Sequence, residues 1–258
     1  MKPIVVIARS DTGYAREVVR YLCDAGQAPA LILIGSRVES LLFNLRSLRR
    51  VMRQLGIVEA FRRLRRSRSA PGFLVEAPTL DEQAARHGIP LRRYDSVNNG
   101  TMIVSIDALD DPVVALAGCG LVDRSVIHVA RGGCVNGHPA ILPGIRGVDV
   151  VEWALVGENE PLGVTAHLVV PQVDAGEILR VERVEPEAGE DFDAYNHRLV
   201  LRQAANLARA ALDVADGTAA KSPNPADRGV LRFAAPDHVH RAARAAFARR
   251  AAPIAGGK

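Results

Sequence analysis

Ile4-Val5-Val6-Ile7-Ala8, then Gly13 to Ala25, then Ala30-Leu31-Ile32-Leu33-Ile34: this opening decides the fold. The first and last runs are continuously apolar, as strands buried on both faces are. Between them Val18, Val19 and Leu22 recur at helical spacing. Strand, helix, strand predicts a parallel sheet with helices on its faces. The turn after the first strand, Arg9-Ser10-Asp11-Thr12-Gly13, holds a single glycine. It is neither a dinucleotide fingerprint nor a P-loop. Ser10, Asp11 and Thr12 read as helix caps or as a substrate-contacting loop at the strand's carboxyl end.

The alternation continues outward. Leu80 to His87 predicts a short helix that Gly88 ends, and Pro90 to Tyr94 a third strand. Met102 to Leu109 fits helix or strand. Val113 to Ala117 reads as a central strand ending in Gly118-Cys119-Gly120. Val126 to Val129 reads as helix, Gly133 to Val135 as a short strand, and Val148 to Val156 as the helix carrying Trp153. Two later strands span Gly163 to Val170 and Glu177 to Val184, and a long helix spans Asp191 to Ala215. Gly217, Ser222, Pro223 and Pro225 mark a linker, and a basic helix runs from His238 to Arg250 with Asp237 as its cap. The expected units are 1–215, a catalytic body, and 216–258, a linker with its tail helix.

The 258 residues are 48% hydrophobic, 24% charged and 4% aromatic. That composition belongs to ordinary globular chains and gives no stacking platform for nucleic acid. No apolar run approaches the ~18 residues of a membrane span. The run Ile4 to Ala8 is too short for a signal peptide, and Cys23, Cys119 and Cys134 show no metal-ligand spacing. A cytoplasmic protein without a bound metal is expected. The net charge of +4 hides an asymmetry: Arg37 to Ser69 holds ten arginines against Glu39 and Glu59, a surplus of eight. The remainder of the chain is therefore net negative.

Within that segment Leu41, Leu45, Leu48, Met52 and Leu55 step by three and four, an amphipathic helix ringed by arginine. Gly56 breaks it, Ile57, Phe61 and Leu64 continue a second short helix to Arg66, and Arg68-Ser69-Ala70-Pro71-Gly72 forms a flexible exit. This Arg-rich helical insertion, about 37–72, packs its stripe on the body or on a sister subunit, or meets a membrane surface or another anionic partner.

The chemistry concentrates between Val135 and Leu179, in segments that read as turn-rich. There stand Asn136-Gly137-His138-Pro139, Ile141-Leu142-Pro143, Gly147, Gly163-Val164-Thr165 and Asp174-Ala175-Gly176. A carboxamide, an imidazole and a carboxylate can stabilise an oxyanion and move a proton. In this order the set resembles the folate-dependent formyltransferases: glycinamide ribonucleotide transformylase, the catalytic domain of methionyl-tRNA formyltransferase, and the sugar N-formyltransferases. The resemblance covers Ile89 to Leu179 well and Ile4 to Ile34 weakly.

That resemblance implies a Rossmann-like open, mostly parallel sheet with helices on both faces. It implies 10-formyltetrahydrofolate as formyl donor, a small primary amine as acceptor, and Asn136, His138 and Asp174 as catalytic residues. Asn136 and a protonated His138 would hold the oxyanion while Asp174 takes the amine proton. Gly118, Cys119, Gly120, Leu121, Val122, Val170 and Val173 would line the pterin pocket. His167 supports Asp174 or is a core histidine. The thiols of Cys119 and Cys134 have no evident paired base, and neither is expected to be a nucleophile. The purine enzyme's glycine-rich phosphate loop is absent from Arg9 to Gly13, and about forty residues follow the long helix, short for a tRNA-binding domain. The acceptor expected is therefore an amino-sugar, with Arg9, Arg92, Arg93 and the arginines of the insertion as candidate cations for its pyrophosphate. Water as acceptor, giving a formyltetrahydrofolate hydrolase, glycinamide ribonucleotide as acceptor, or a non-catalytic binding protein are the alternatives.

Overall fold

The computed structural model describes residues 1–69, 76–157 and 160–253. Of the expected exit at Arg68 to Gly72, Arg68 and Ser69 instead continue the helix that begins at Ile57, and 70–72 lie outside the described residues. In chain order the elements are β1 (Ile4–Ala8), α1 (Gly13–Asp24), β2 (Leu31–Gly35), α2 (Arg37–Leu55), α3 (Ile57–Ser69), α4 (Leu80–His87), β3 (Leu91–Tyr94), α5 (Gly100–Asp107) and β4 (Val113–Leu116). There follow α6 (Arg124–Val129), β5 (Gly133–His138), β6 (Ile145–Gly147), α7 (Val150–Val156), β7 (Gly163–Leu168), β8 (Ile178–Arg183), α8 (Phe192–Asp216), β9 (Val230–Arg232) and α9 (Asp237–Arg250).

Seven strands form one sheet in the order β3-β2-β1-β4-β5-β7-β8. From β3 to β5 every pair is parallel; β7 and β8 join antiparallel. After β5 the chain passes through β6 and α7 and re-enters the sheet from the end it left, so β7 runs backward. Strand order reverses between β1 and β4, and in such sheets ligands bind beyond the carboxyl ends near that reversal.

Strand alternation divides the core. Val6, Ala8, Ile32, Ala115, Val135 and Ala166 pack against α1, α4 and α8, while Val5, Ile7, Leu33, Val114 and Cys134 pack against α5 and α6. Each fully buried Val, Leu or Ile contributes about 1.5–3 kcal/mol before chain entropy is counted. Helix α8 turns Ala204, Ala208, Ala211 and Ala215 to the sheet. These small side chains let its backbone approach closely.

Local signals explain the helix ends. The Thr12 hydroxyl accepts from the Ala15 N–H and caps α1, whereas Asp11 forks onto Arg16 and accepts from the Leu80 N–H. Thr79 and Glu82 cap α4 reciprocally, and Gly88 closes it in the left-handed conformation. The stretch left open at Met102 is helix α5.

The segment after α8 returns to the body. Strand β9 pairs with β6, and α9 buries Ala243 and Phe247 against α7 and the start of α8. The Phe247 ring stands 5.4 Å from Phe192 and 5.0 Å from Tyr195. Helix α9 is entered from Pro236, with Asp237 in its first turn and not at its cap. Among the described residues no helix is long and apolar enough to cross a membrane.

Candidate active site

Asn136 and His138 stand on β5 itself, not in a turn as the sequence suggested, because the strand runs on through Gly137 to His138. Its register against β7 sets Asn136 opposite His167 and His138 opposite Thr165. Since Val135 and Ala166 face the α8 side, Asn136, His138 and His167 face the other. The pairing of β7 with β8 shifts register between Ala166 and His167, a β-bulge whose extra residue, Leu179, lies on β8. The Thr165 hydroxyl donates to the Ala140 carbonyl at 2.7 Å and accepts from the Leu142 N–H at 3.1 Å. The threonine of the Gly-x-Thr motif thus fixes the loop that follows His138.

Asp174 comes from the β7–β8 loop, at a left-handed φ of 49°. The Gly147 N–H donates to its Oδ2 at 2.9 Å. Gly176 folds the loop back onto β7: a Cβ there would meet the Leu168 carbonyl oxygen at 1.9 Å, so no other residue fits. From beyond α8, the Asn224 side-chain amide donates to the carbonyls of Asp174, at 3.0 Å, and Gly176, at 2.8 Å.

Two imidazoles converge on the Asp174 carboxylate. His138 Nδ1 lies 3.6 Å from Oδ2, and His167 Nε2 lies 3.5 Å from Oδ1. A carbonyl can only accept, so His138 donates from Nε2 to Ile145 at 2.8 Å, and His167 donates from Nδ1 to Leu168 at 2.7 Å. The His167 Nε2, when the ring is neutral, accepts from the Asn136 amide at 3.3 Å. That contact orients Asn136 and leaves its second N–H uncommitted among the described residues.

Burial pushes the His138 pKa below the ordinary value of 6.5, against an upward pull from Asp174. Burial raises the Asp174 carboxyl, but His167, His138 and the Gly147 N–H together outweigh it and hold the pKa below its ordinary value. The resting site is therefore an ionised carboxylate beside a neutral His138. The charged His138 expected from sequence is corrected here, for a ring only 3% exposed resists carrying charge.

A cavity of about 110 Å³ opens on this group, lined by Leu116, Gly120, Leu121, Val122, Val169, Val170, Gln172 and Val173 together with Asn136, His167 and Asp174. Gly118 and Cys119 stand outside the lining, and so does His138, behind Asp174. The Cys119 thiol turns into the core, where burial raises its pKa to about 12. Burial raises Cys134 likewise, so neither is an available thiolate. A wider surface cleft of about 470 Å³, lined by Arg124, Ile127, His128 and Pro171, adjoins the cavity at Pro171 but contains none of the polar groups.

Of the arginines outside the insertion considered for a pyrophosphate, two are placed elsewhere. Arg92 and Arg93 lie on β3 at the sheet edge, bonded to Ser105 and Asp81. Four strand spacings separate β3 from β5, about 19 Å. Arg9, at the end of β1, is half-buried, and that burial lowers its pKa. Sequence reasoning missed Asn224 and Gln203, whose amide donates to the Gly137 carbonyl at 2.7 Å from α8. Asn224 lies between Pro223 and Pro225, a pattern that signals only a turn.

The sequence profile of the formyl transferase family matches residues 61–211, more than half of the chain. The chain belongs to that family. Among curated relatives it is similar to a methionyl-tRNA formyltransferase of Lachnospira eligens, 32% identical over 127 residues. That match covers 49% of this chain and 40% of the relative, so this chain spans less than half of the curated proteins it matches first. The fold is similar to a 4-N formyltransferase from Francisella tularensis, with a TM-score of 0.57 at 16% identity, covering 97% of this chain and 87% of the other. It is also similar to a sugar 3-N-formyltransferase solved in the presence of dTDP and 5-N-formyl-tetrahydrofolate, with a TM-score of 0.51 at 11% identity and 90% and 70% covered.

Proposed function

We propose that this protein is an N-formyltransferase that carries the formyl group of 10-formyltetrahydrofolate to a primary amine on a sugar. The observation that carries this reading is the meeting of Asn136 and Asp174, with His138 behind the carboxylate, at one end of a small and largely apolar cavity. A flat heterocycle suits walls such as Gly120, Val122, Val170 and Val173, and the sugar formyltransferase fold solved with a folate derivative supports the donor class.

The neutral acceptor amine attacks the formyl carbon, forming a carbon–nitrogen bond while the carbonyl electrons move to oxygen. The uncommitted N–H of Asn136 donates to that oxyanion. The attacking nitrogen, now positive, gives a proton to Asp174, which is already ionised and needs no activation. His138 receives that proton through its Nδ1 edge and becomes a strong acid, because burial disfavours its charge. Returned to the folate nitrogen, the proton lets the bond between carbon and that nitrogen break. The products are the formamide and tetrahydrofolate, and no electrons are exchanged with an outside partner.

The sugar acceptor rests on the neighbouring sugar formyltransferase folds and on Arg9 as a cation near the strand ends. A charged methionyl-tRNA is the second reading, favoured by the identity to the methionyl-tRNA enzymes. Incubation of the protein with 10-formyltetrahydrofolate and aminodeoxy-sugar nucleotides, glycinamide ribonucleotide or methionyl-tRNA separates them by product mass. Formylation of a sugar is the expected outcome. Formylation of either other acceptor with no sugar product removes the sugar assignment, and formate release without acceptor replaces transfer by hydrolysis.

A further inference from the structure

Among the described residues, helices α2 and α3 form a hairpin that meets the body in one small apolar cluster, Val51, Ala60 and Ala234 with Leu48 and Leu55. Arg63 pairs with Asp149, and Glu59 accepts from the Asp237 N–H. Eight other apolar side chains of the hairpin, from Val38 to Leu64, are exposed. On α2, Val38, Leu41, Leu45 and Met52 follow one another by three, four and seven residues, a single stripe, with Leu41 62% exposed. On α3, Ile57, Phe61 and Leu64 repeat the pattern, with Phe61 64% exposed.

The charges on these helices are sorted by sign. Both carboxylates turn inward: Glu39 is buried, and Glu59 is held by Asp237 and Arg62. Arg46, Arg49, Arg50, Arg53 and Arg65 are exposed, and no carboxylate pairs with them among the described residues. Arg49 and Arg53 lie one turn apart along the α2 stripe, and Arg65 one turn beyond Phe61, so their aliphatic stems border apolar surface while the guanidinium groups reach outward.

An apolar stripe bordered by unopposed cations needs a partner that is greasy within and anionic at its face. We propose that the α2–α3 hairpin docks this protein on an anionic lipid bilayer, lying in the headgroup layer. A second copy of the chain would face one positive surface with another. A nucleic acid would satisfy the arginines but leave Leu41, Leu45, Ile57 and Phe61 in water, and three of these four cannot stack on bases. A bilayer interface takes both, the side chains among the acyl chains and the guanidinium groups among the phosphates.

Sedimentation of the full chain with vesicles tests this, using phosphatidylcholine alone and a phosphatidylcholine–phosphatidylglycerol mixture. At about 0.1 M salt the protein should sediment only with the mixture, and raising salt to about 0.5 M should release much of it. Reversal of Arg49, Arg50 and Arg53 to glutamate should lower partitioning on the order of 100-fold. Leu41→Ser with Phe61→Ser should lower it on the order of tenfold without changing the circular dichroism. If the triple reversal does not fold, Arg49→Gln alone and the salt series carry the charge test. The proposal is overturned if the wild type ignores phosphatidylglycerol at low salt, or if the charge and apolar variants bind as it does. Binding of tRNA or formation of a dimer through this hairpin, with vesicles ignored, also overturns it.

Discussion

Two regions of this molecule are rich in ionisable side chains, and they treat charge in opposite ways. At the β5–β7 site a single carboxylate, Asp174, meets two imidazoles and a backbone N–H, all placed by strand register and a clamped loop. On the α2–α3 hairpin five exposed arginines meet no carboxylate among the described residues, and the two glutamates of the segment face away from them. A group whose partners are built in is prepared for chemistry on a small molecule, because little reorganisation is left at the moment of reaction. A group with none is prepared for a surface brought from outside. Charge density alone does not mark an active site; the supply of partners does.

The largest effect should come from the site. Asn136→Ala, His138→Ala and Asp174→Ala should each reduce turnover about 10²–10³-fold while the fold persists by circular dichroism. Near-normal turnover in purified His138→Ala would show that the site's partners are structural, and the contrast with the hairpin would collapse. Next comes Asn224→Ala, which removes both hydrogen bonds to the Asp174 loop. It should cost about 1–3 kcal/mol in urea unfolding and lower turnover as well. Loss of stability with turnover intact would mean the loop holds Asp174 without this clamp.

A smaller effect lies in pH dependence. The folded pKa of His138 lies below its unfolded value near 6.5, so below that pH the unfolded chain binds more protons. Its contribution to stability is present above 6.5 and is lost as pH falls through the folded pKa. Asp174, also lowered, loses its contribution only at more acidic pH, as pH falls through a folded pKa below 3.8. His138→Gln should flatten the stability profile just below pH 6.5, measured by unfolding at a series of pH values. An unchanged slope there would assign the acid sensitivity to other groups. The smallest effect sharpens the comparison from the other side. Reversal of Arg46, Arg49, Arg50 and Arg53 should leave turnover of a small soluble amine unchanged, and loss of that turnover would place the hairpin inside the site.

Much of this was legible before the structure. The apolar runs at Ile4, Leu31 and Val113 are buried on both faces, and a strand with no polar side leaves little ambiguity. The α2 and α3 helices follow from a stripe at steps of three and four broken by Gly56, at φ 88°. The β5 strand was cut short at Val135 because Asn136, Gly137 and His138 have low strand propensity. Pairing to both β4 and β7 overrides that preference. The protonation state of His138 is not legible in the sequence for a related reason: residue type gives the group, but only burial gives the cost of its charge. Asn224 and Gln203 were invisible because each acts on a backbone carbonyl, at separations of 50 and 66 residues, which no local pattern encodes.

The bond from Asn224 to Asp174 has a consequence in time. During synthesis the β5 and β7 strands, and the carboxylate loop between β7 and β8, leave the ribosome well before residue 224 does. A nascent chain that has completed its sheet therefore holds Asn136 and His138 in place while the loop bearing their carboxylate is still unclamped. The clamp on Asp174 arrives late and from a distance in sequence, when a short proline-flanked segment bridges to the edge strand β8 at Ile178.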